Sequence, residues 1–356
     1  MARTYFSEKA STYLHRLCIE IPNRRVGSPG NRAATDFFTD VMTPLGFDTD
    51  TPTFDCIDWH QDGAHLTVNA TSFDVQVSPY SLGGHVRAPL VVLSSVDALE
   101  TAEIAQSVVL LRGDLAKEPL MPKNFPFYNP DEHQRIIRLL ETKNPQAIVA
   151  ATSRNPEMAG AVYPFPLIED GDFDIPSVYM TEKEGARLAQ HTGEIVTLDI
   201  EAVRNPAQGC NVIARKGTDP QRRVVVFAHI DAKDDTPGAI DNASGIVVLL
   251  LLAELLADYA GELEIEIAAL NGEDYYDAPG QQQYLRANEG KFEEIMLGVN
   301  LDGAGYHQGH TAYSLYDCPP AIAAAVQETF ATYPELVEGE PWYQGDHSLF
   351  LINQRP

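Results

Sequence analysis

Positive charge is scarce in this chain of 356 residues: 25 lysines and arginines stand against 51 aspartates and glutamates, a net charge of −26. That imbalance argues against a nucleic-acid-binding protein, which needs a basic surface to displace counterions from phosphates. It also disfavours attraction to anionic membranes. A solvated acidic surface, suited to a salt-rich cytosol, accounts for most of the carboxylates, and some of the remainder are candidates to hold metal. Cysteine is sparse as well. Cys18, Cys56, Cys210 and Cys318 lie far apart and form no C-x-x-C pair, so they read as buried thiols rather than a disulfide framework or zinc ribbon. Long apolar runs are missing: IVVLLLLAELLA from Ile246 covers about 12 residues, with Glu254 inside it, against the ~20 needed to cross a bilayer. The N-terminal MARTYFSEKASTYLHRL has no apolar signal core followed by a small-residue cleavage site. A cytoplasmic, soluble protein is expected. No GxSxG elbow, Walker loop or HExxH helix occurs, which leaves Ser/His/Asp catalysis and phosphate cradling without support.

What is present is length for two domains and an ordinary apolar fraction of 44%. STYLHRLC and NRAATDFFTDVMTPLGF space their apolar residues as two helices, with the glycine- and proline-rich RRVGSPGN between them. From about Phe54 to Leu198 the texture is β-rich: HLTVNA, PLVVLS, SVVLLRG, QAIVAATS, IPSVYMT and EIVTLDI, with helical HQRIIRLLETK and EKEGARLAQ interleaved. Lys117 to Asp131, rich in proline and asparagine, reads as a surface loop. After Asn211 strands and helices alternate. NVIARKG, RRVVVFAH, ELEIEIAAL, EIMLGVNLD and TAYSLYD are the strands; Asn242 to Ala260, GQQQYLRANEG and PPAIAAAVQETFATY are the helices. Near-continuous apolar strands separated by helices predict an α/β fold, a mostly parallel sheet sandwiched by helices. In such sheets the site lies at the carboxyl ends of the strands.

Chemistry gathers at those ends. AHIDA, GAIDNASG, ALNGEDYYDAPG and GVNLDG place His229, Asp231, Asp241, Glu273, Asp274 and Asp302 at or just beyond apolar runs. Each alone is more often structural or superficial. Together they look like ligands for two divalent metals with a carboxylate to spare. Asp231, two residues past His229, is in reach of the imidazole's second nitrogen, where it would fix the tautomer. Asp241 reads either as the N-cap of the following helix or as a carboxylate bridging two metals, with Gly238 and Gly245 permitting close backbone approach. Glu273 and Asp274 repel one another unless a cation divides their roles. With Asp274 on a metal, Glu273 is placed as general base above an activated water, and Asp302 would finish the second metal's shell. Oxygen and imidazole donors without sulfur suit zinc, cobalt or manganese. His310 in GYHQGH and His347 in QGDHSLF read as candidates for lining the cleft, and His307 shares that reading with plain loop polarity.

At these residues the chain resembles the co-catalytic zinc aminopeptidases, a family that also includes glutamate carboxypeptidase and the transferrin receptor. RVGSPGNRAATDFF, AHIDA, IDNASG, GED, NLDG and GDHSLF fall in that family's order. The resemblance implies a phosphorylase/hydrolase-like zinc peptidase domain over 1–59 and 200–356. It implies a β-rich protease-associated insert over 60–199. It assigns Asp241 as the bridge between two divalent ions, zinc foremost, with His229 and Asp302 on one ion and Asp274 on the other. Glu273 is then the general base and Asp231 its catalytic companion. The implied activity is an aminopeptidase acting on peptide substrates, with no nucleic-acid or membrane partner and self-association left open. A carboxypeptidase would need a basic pocket, and Arg and Lys are sparse near the motifs. N-terminal glutamine cyclisation on one metal and a non-catalytic binding homologue are the remaining alternatives. Two departures stand out. The carboxylate pair is Glu-Asp rather than Glu-Glu, and the family's H-T-x-x-D-type segment, whose histidine completes the metal site shared with Asp274, does not occur up to Pro356, so the expectation is either a truncated sequence or an incomplete first metal site.

Overall fold

Two helices open the chain. In the computed structural model, which describes residues 2–126, 128–154 and 163–356, Ala2–His15 runs into a π-helical turn at Arg16–Glu20, and Pro29–Met42 follows. The second helix starts where its sequence dictates: the Ser28 hydroxyl accepts from the Asn31 amide, and Pro29 takes the first helical position. Both helices bury Leu17, Ala34, Phe38 and Met42 against Ile246, Leu249 and Leu250 of the apolar helix Ser244–Leu255.

The chain divides into two units, 1–56 with 206–356 and 57–205. In the first, a five-stranded sheet runs in the order Asp48–Asp50, Val212–Lys216, Leu263–Leu270, Asp219–His229, Ile295–Asn300. The last three strands are parallel, with Val226 level with Ile267 on one side and Val299 on the other. The strand Val212–Lys216 is antiparallel to both its neighbours, so the sheet is mixed rather than mostly parallel. Only Gly217 and Thr218 separate it from Asp219–His229. A link that short cannot hold the crossover that a parallel connection needs.

The predicted strand TAYSLYD is also corrected. Thr311–Tyr313 pairs with Leu336–Glu338 in a separate two-stranded sheet. The helix Pro320–Phe330 buries none of its residues. The predicted helix from Asn242 to Ala260 is shorter, Ser244–Leu255.

The second unit is built on an eight-stranded mixed sheet. Gly84–Leu93, Val108–Leu111, Ala147–Thr152 and Ser177–Thr181 form its parallel part. Its core gathers Leu99, Val109, Leu111, Ile136, Leu140 and Ile148. Part of the loop read as surface is pinned: the Lys123 amide donates to Asp170 and Leu120 is buried. Phe127 of that loop lies outside the described residues. Cys56 is buried, and Cys18, Cys210 and Cys318 are half-buried. No helix among the described residues is long and apolar enough to cross a membrane.

Candidate metal centre

Three parallel strands end at one edge of the first sheet, and each delivers a polar group there. His229 closes its strand in register with Leu270. Asn271 to Asp274 follow the Leu270 strand, and Asp302 follows the Asn300 strand. His229 is 1% exposed, with Nε2 3.0 Å from Asp241 Oδ1 and 3.6 Å from Asp302 Oδ1. Donor atoms of His229, Asp241 and Asp274 all lie within 4.8 Å of one another. Sequence spacing alone could not have shown that convergence.

Asp231 departs from its expected contact. Its Oδ1 stands 3.6 Å from His229 Nδ1, too far for a hydrogen bond. Instead Oδ1 accepts from the Gly272 amide at 2.7 Å and Oδ2 from the Asp274 amide at 3.0 Å. A buried carboxylate satisfied by two main-chain donors holds a turn, and here it holds the turn that carries Glu273 and Asp274. Asp231 therefore acts on the Glu273–Asp274 turn through the backbone rather than on the imidazole.

Asp241 is not a helix cap either. It lies in a non-helical stretch (φ −116, ψ 96) joined to Asn242 by a cis peptide, and its side chain is 63% exposed. Asn242 does the local work. Its Oδ1 accepts from the Gly245 amide and its Nδ2 donates to the Leu301 carbonyl, tying this loop to the strand that leads to Asp302. The glycines matter as expected: a Cβ at Gly245 would stand 2.4 Å from the Leu301 oxygen. One at Gly238 (φ +53) would stand 2.5 Å from the Asp241 oxygen.

The remaining predicted residues divide. His347 is half-buried, its ring tilted over Tyr316 and its Nε2 against the Trp342 carbonyl. The same short segment overlies Glu273: a Cβ on Gly345 would lie 3.9 Å from Glu273 Oε1. His347 thus borders the centre without entering the donor cluster. His310 and His307 are exposed, and His307 packs on Tyr306. No contact brings His310 to the cluster. Asp346 is the residue that the sequence reading passed over. It is fully buried, Oδ1 accepts from Gln281 Nε2 at 2.8 Å, and Oδ2 has no hydrogen-bond partner. The signal was its place beside His347 in GDHSLF, where the histidine drew the attention.

Electrostatics at this edge are those of an acidic cluster awaiting positive charge. Burial pushes the Glu273 carboxyl up to about 7; His229 opposes the rise, and Asp274, Asp231 and Asp302 add to it. Burial likewise takes Asp274 to about 7, with Lys233 and His229 opposing. Burial raises Asp346 well above the carboxylate range, helped by its nearness to Glu273. Burial works against charging His229, but Asp231, Asp241 and Asp302 outweigh it and its pKa stands well above the usual value. Contact with His229 holds Asp241 below its usual value. Several anionic groups in so small a volume favour a bound cation.

The donor set fits a divalent metal. Neither His229 ring nitrogen has a partner in hydrogen-bonding geometry although both are buried, which is costly unless something else engages them. Imidazole with carboxylates is a donor set for zinc and its neighbours in the first transition row.

Residues 211–349 match the family model of peptidase family M28. Over this segment the chain is similar to that family. A probable lipoprotein aminopeptidase of Mycobacterium tuberculosis, LpqL, is 23% identical over 333 residues, covering 87% of this chain and 63% of the relative. A probable leucine aminopeptidase 2 of Aspergillus oryzae is 24% identical over 188 residues, covering 48% and 37%. The chain thus spans less than two thirds of the length of either relative. Among solved structures, an aminopeptidase from Aneurinibacillus sp. superposes with a TM-score of 0.76 at 18% identity, over 98% of this chain and 83% of that one. The zinc aminopeptidase of Bacillus subtilis superposes with a TM-score of 0.70 at 19% identity, over 97% and 82%. At such identities the likeness is one of fold: an α/β domain with a central sheet flanked by helices.

Proposed function

We propose that this chain is a metal-dependent aminopeptidase of the M28 kind. The observation that carries the reading is the convergence of His229, Asp241 and Asp274 within 4.8 Å, with Glu273 on the same turn as Asp274. His229, Asp241, Asp274 and Asp302 would hold the cations. Two ions, zinc by analogy with the relatives' names, suit a set of one imidazole and three carboxylates, with Asp241 the bridge that the resemblance implies. When bound, such ions supply Lewis acidity to the scissile carbonyl and acidity to the attacking water.

The rest is the work of this chain's own residues. Glu273 is half-buried, with Oε1 close to the Gly345 backbone. There it can take the water's proton and pass it to the leaving amine. Asp231 fixes the Gly272 and Asp274 amides and so sets where Glu273 points. Tyr316 packs on Tyr343 and donates to the Trp342 carbonyl, which puts aromatic surface on the stretch that leads into Gly345, a wall suited to an apolar substrate side chain.

The aminopeptidase reading is preferred over a carboxypeptidase because the cations that the fold brings near are already engaged. Lys233 Nζ lies 3.9 Å from Asp274 Oδ1 and Arg25 pairs with Asp234. A free α-amine meets carboxylates here, whereas no open basic pocket for a substrate carboxylate stands beside them among the described residues. We read the unit 57–205 as a protease-associated insert, on the resemblance of its β-rich segments.

Glu273→Gln tests the assignment. The variant is expected to retain metal by elemental analysis and to lose roughly 10²–10⁴ in kcat on an amino-acyl anilide. Retained turnover removes Glu273 as the base. A wild-type protein that neither binds metal nor cleaves the anilide sinks the enzyme reading.

A further inference from the structure

Arg24 is 1% exposed, yet no carboxylate is among its hydrogen-bond partners. Its guanidinium spends its donors on main-chain carbonyls: Nε on Ile230 at 3.0 Å, Nη1 on Pro237 at 2.7 Å and on Leu17 at 2.9 Å, Nη2 on Gly238 at 3.0 Å. Ile230 immediately follows His229, and Pro237 and Gly238 stand just ahead of Asp241. The fork therefore grips both ends of the loop that joins the two donors. Burying an arginine without an ion pair is costly, so the cost points to a task for the side chain.

Resting on the metal reading above, we propose that Arg24 is a positioning residue: it closes the 230–238 loop so that His229 and Asp241 stand together before a cation arrives. The same turn makes two more contacts with this edge. Arg25 pairs with Asp234 inside the loop at 3.0 Å. Asn31 exchanges amide hydrogen bonds with Asn271, two residues ahead of Glu273, at 2.8 and 2.9 Å. An entropic argument favours the clamp: a loop held at both ends loses its freedom once, on folding, rather than when metal binds.

The sign of the charge effect selects the variant. Arg24 is cationic and lies within electrostatic reach of Asp231 and Asp274, so removing its charge would by itself strengthen cation binding. Arg24→Lys keeps the charge and loses the planar fork, leaving geometry as what changes.

The test titrates Co²⁺ into the metal-stripped full chain, following heat and the visible absorption of the bound ion. Arg24→Lys is expected to weaken binding about 10–100-fold, the range seen when groups supporting metal ligands are removed, and to alter the Co²⁺ spectrum. Glu254→Gln is the control for mere destabilisation. Glu254 accepts from Tyr5, Lys9 and Tyr13 near the far end of the apolar helix, and its variant is expected to bind Co²⁺ within twofold of wild type. If Arg24→Lys does not fold, Arg24→Gln takes its place: loss of the charge alone would tighten cation binding, so the same weakening still reports the lost clamp. Wild-type affinity and spectrum in these variants overturn the proposal, as does an equal loss in Glu254→Gln. Absence of Co²⁺ binding in wild type instead overturns the metal reading, and this inference with it.

Discussion

The two flanks of the metal centre are built differently. On one flank, His229, Asp231 and Asn271 are buried and cross-tied: Arg24 donates to the Ile230 carbonyl, Asn31 donates to the Asn271 side chain, Asn211 Oδ1 accepts from the Asn271 amide and Asp231 from the Gly272 amide. On the other, Asp302 leads into a segment where His307 and His310 are exposed and the helix Pro320–Phe330 buries nothing. Tyr333, Trp342 and Tyr343 are also more than half exposed there. Burial returns at Gly345 to Phe350, where Asp346 and Leu349 are buried again. The rigid flank suits the job of holding charged ligands at fixed separations. The open flank suits the job of meeting varied side chains, because few buried contacts constrain it.

Substitutions can break that contrast, the largest effect first. His229→Ala removes the buried donor around which the carboxylates gather, and should lower metal affinity by on the order of 100-fold or more, since even supporting residues cost 10–100-fold. Equilibrium dialysis reads it, and unchanged affinity would show that the carboxylates alone suffice. Asn271→Ala strips the Asn31 amide and the Cys210 carbonyl of their partners. Roughly 1–3 kcal/mol of stability should go with them, because buried polar groups are left unmade; denaturant unfolding measures it. Ala324→Gln, at an exposed position of Pro320–Phe330, should change stability by no more than about 0.5 kcal/mol. A loss comparable to that of Asn271→Ala would mean that the open flank is as tightly built as the other.

Much of the centre was legible in the chain. Apolar strands ending in AHIDA, LNGED and GVNLD announced where the donors stand, because a parallel sheet gathers its strand ends at one edge. The role of Asp231 was not legible. Two residues from His229, it had the spacing of an imidazole partner, but a β-strand end sends neighbouring side chains in directions that spacing cannot resolve. The separation of Thr311–Tyr313 from the main sheet was missed for a related reason: a short half-exposed run carries no register of its own. Asp346 was hidden because a buried carboxylate and a solvated one look the same in a sequence.

The sequence by itself determined the donor types, their order along the chain and the strand ends that carry them, because strand and turn propensities are local. Tertiary structure alone decided that Arg24 grips a loop some two hundred residues away, that Asn31 reaches Asn271, and that Asp241 faces His229 across 3.0 Å. Those contacts join segments distant in the chain, and only the packing of the helices on the sheet brings them to one place.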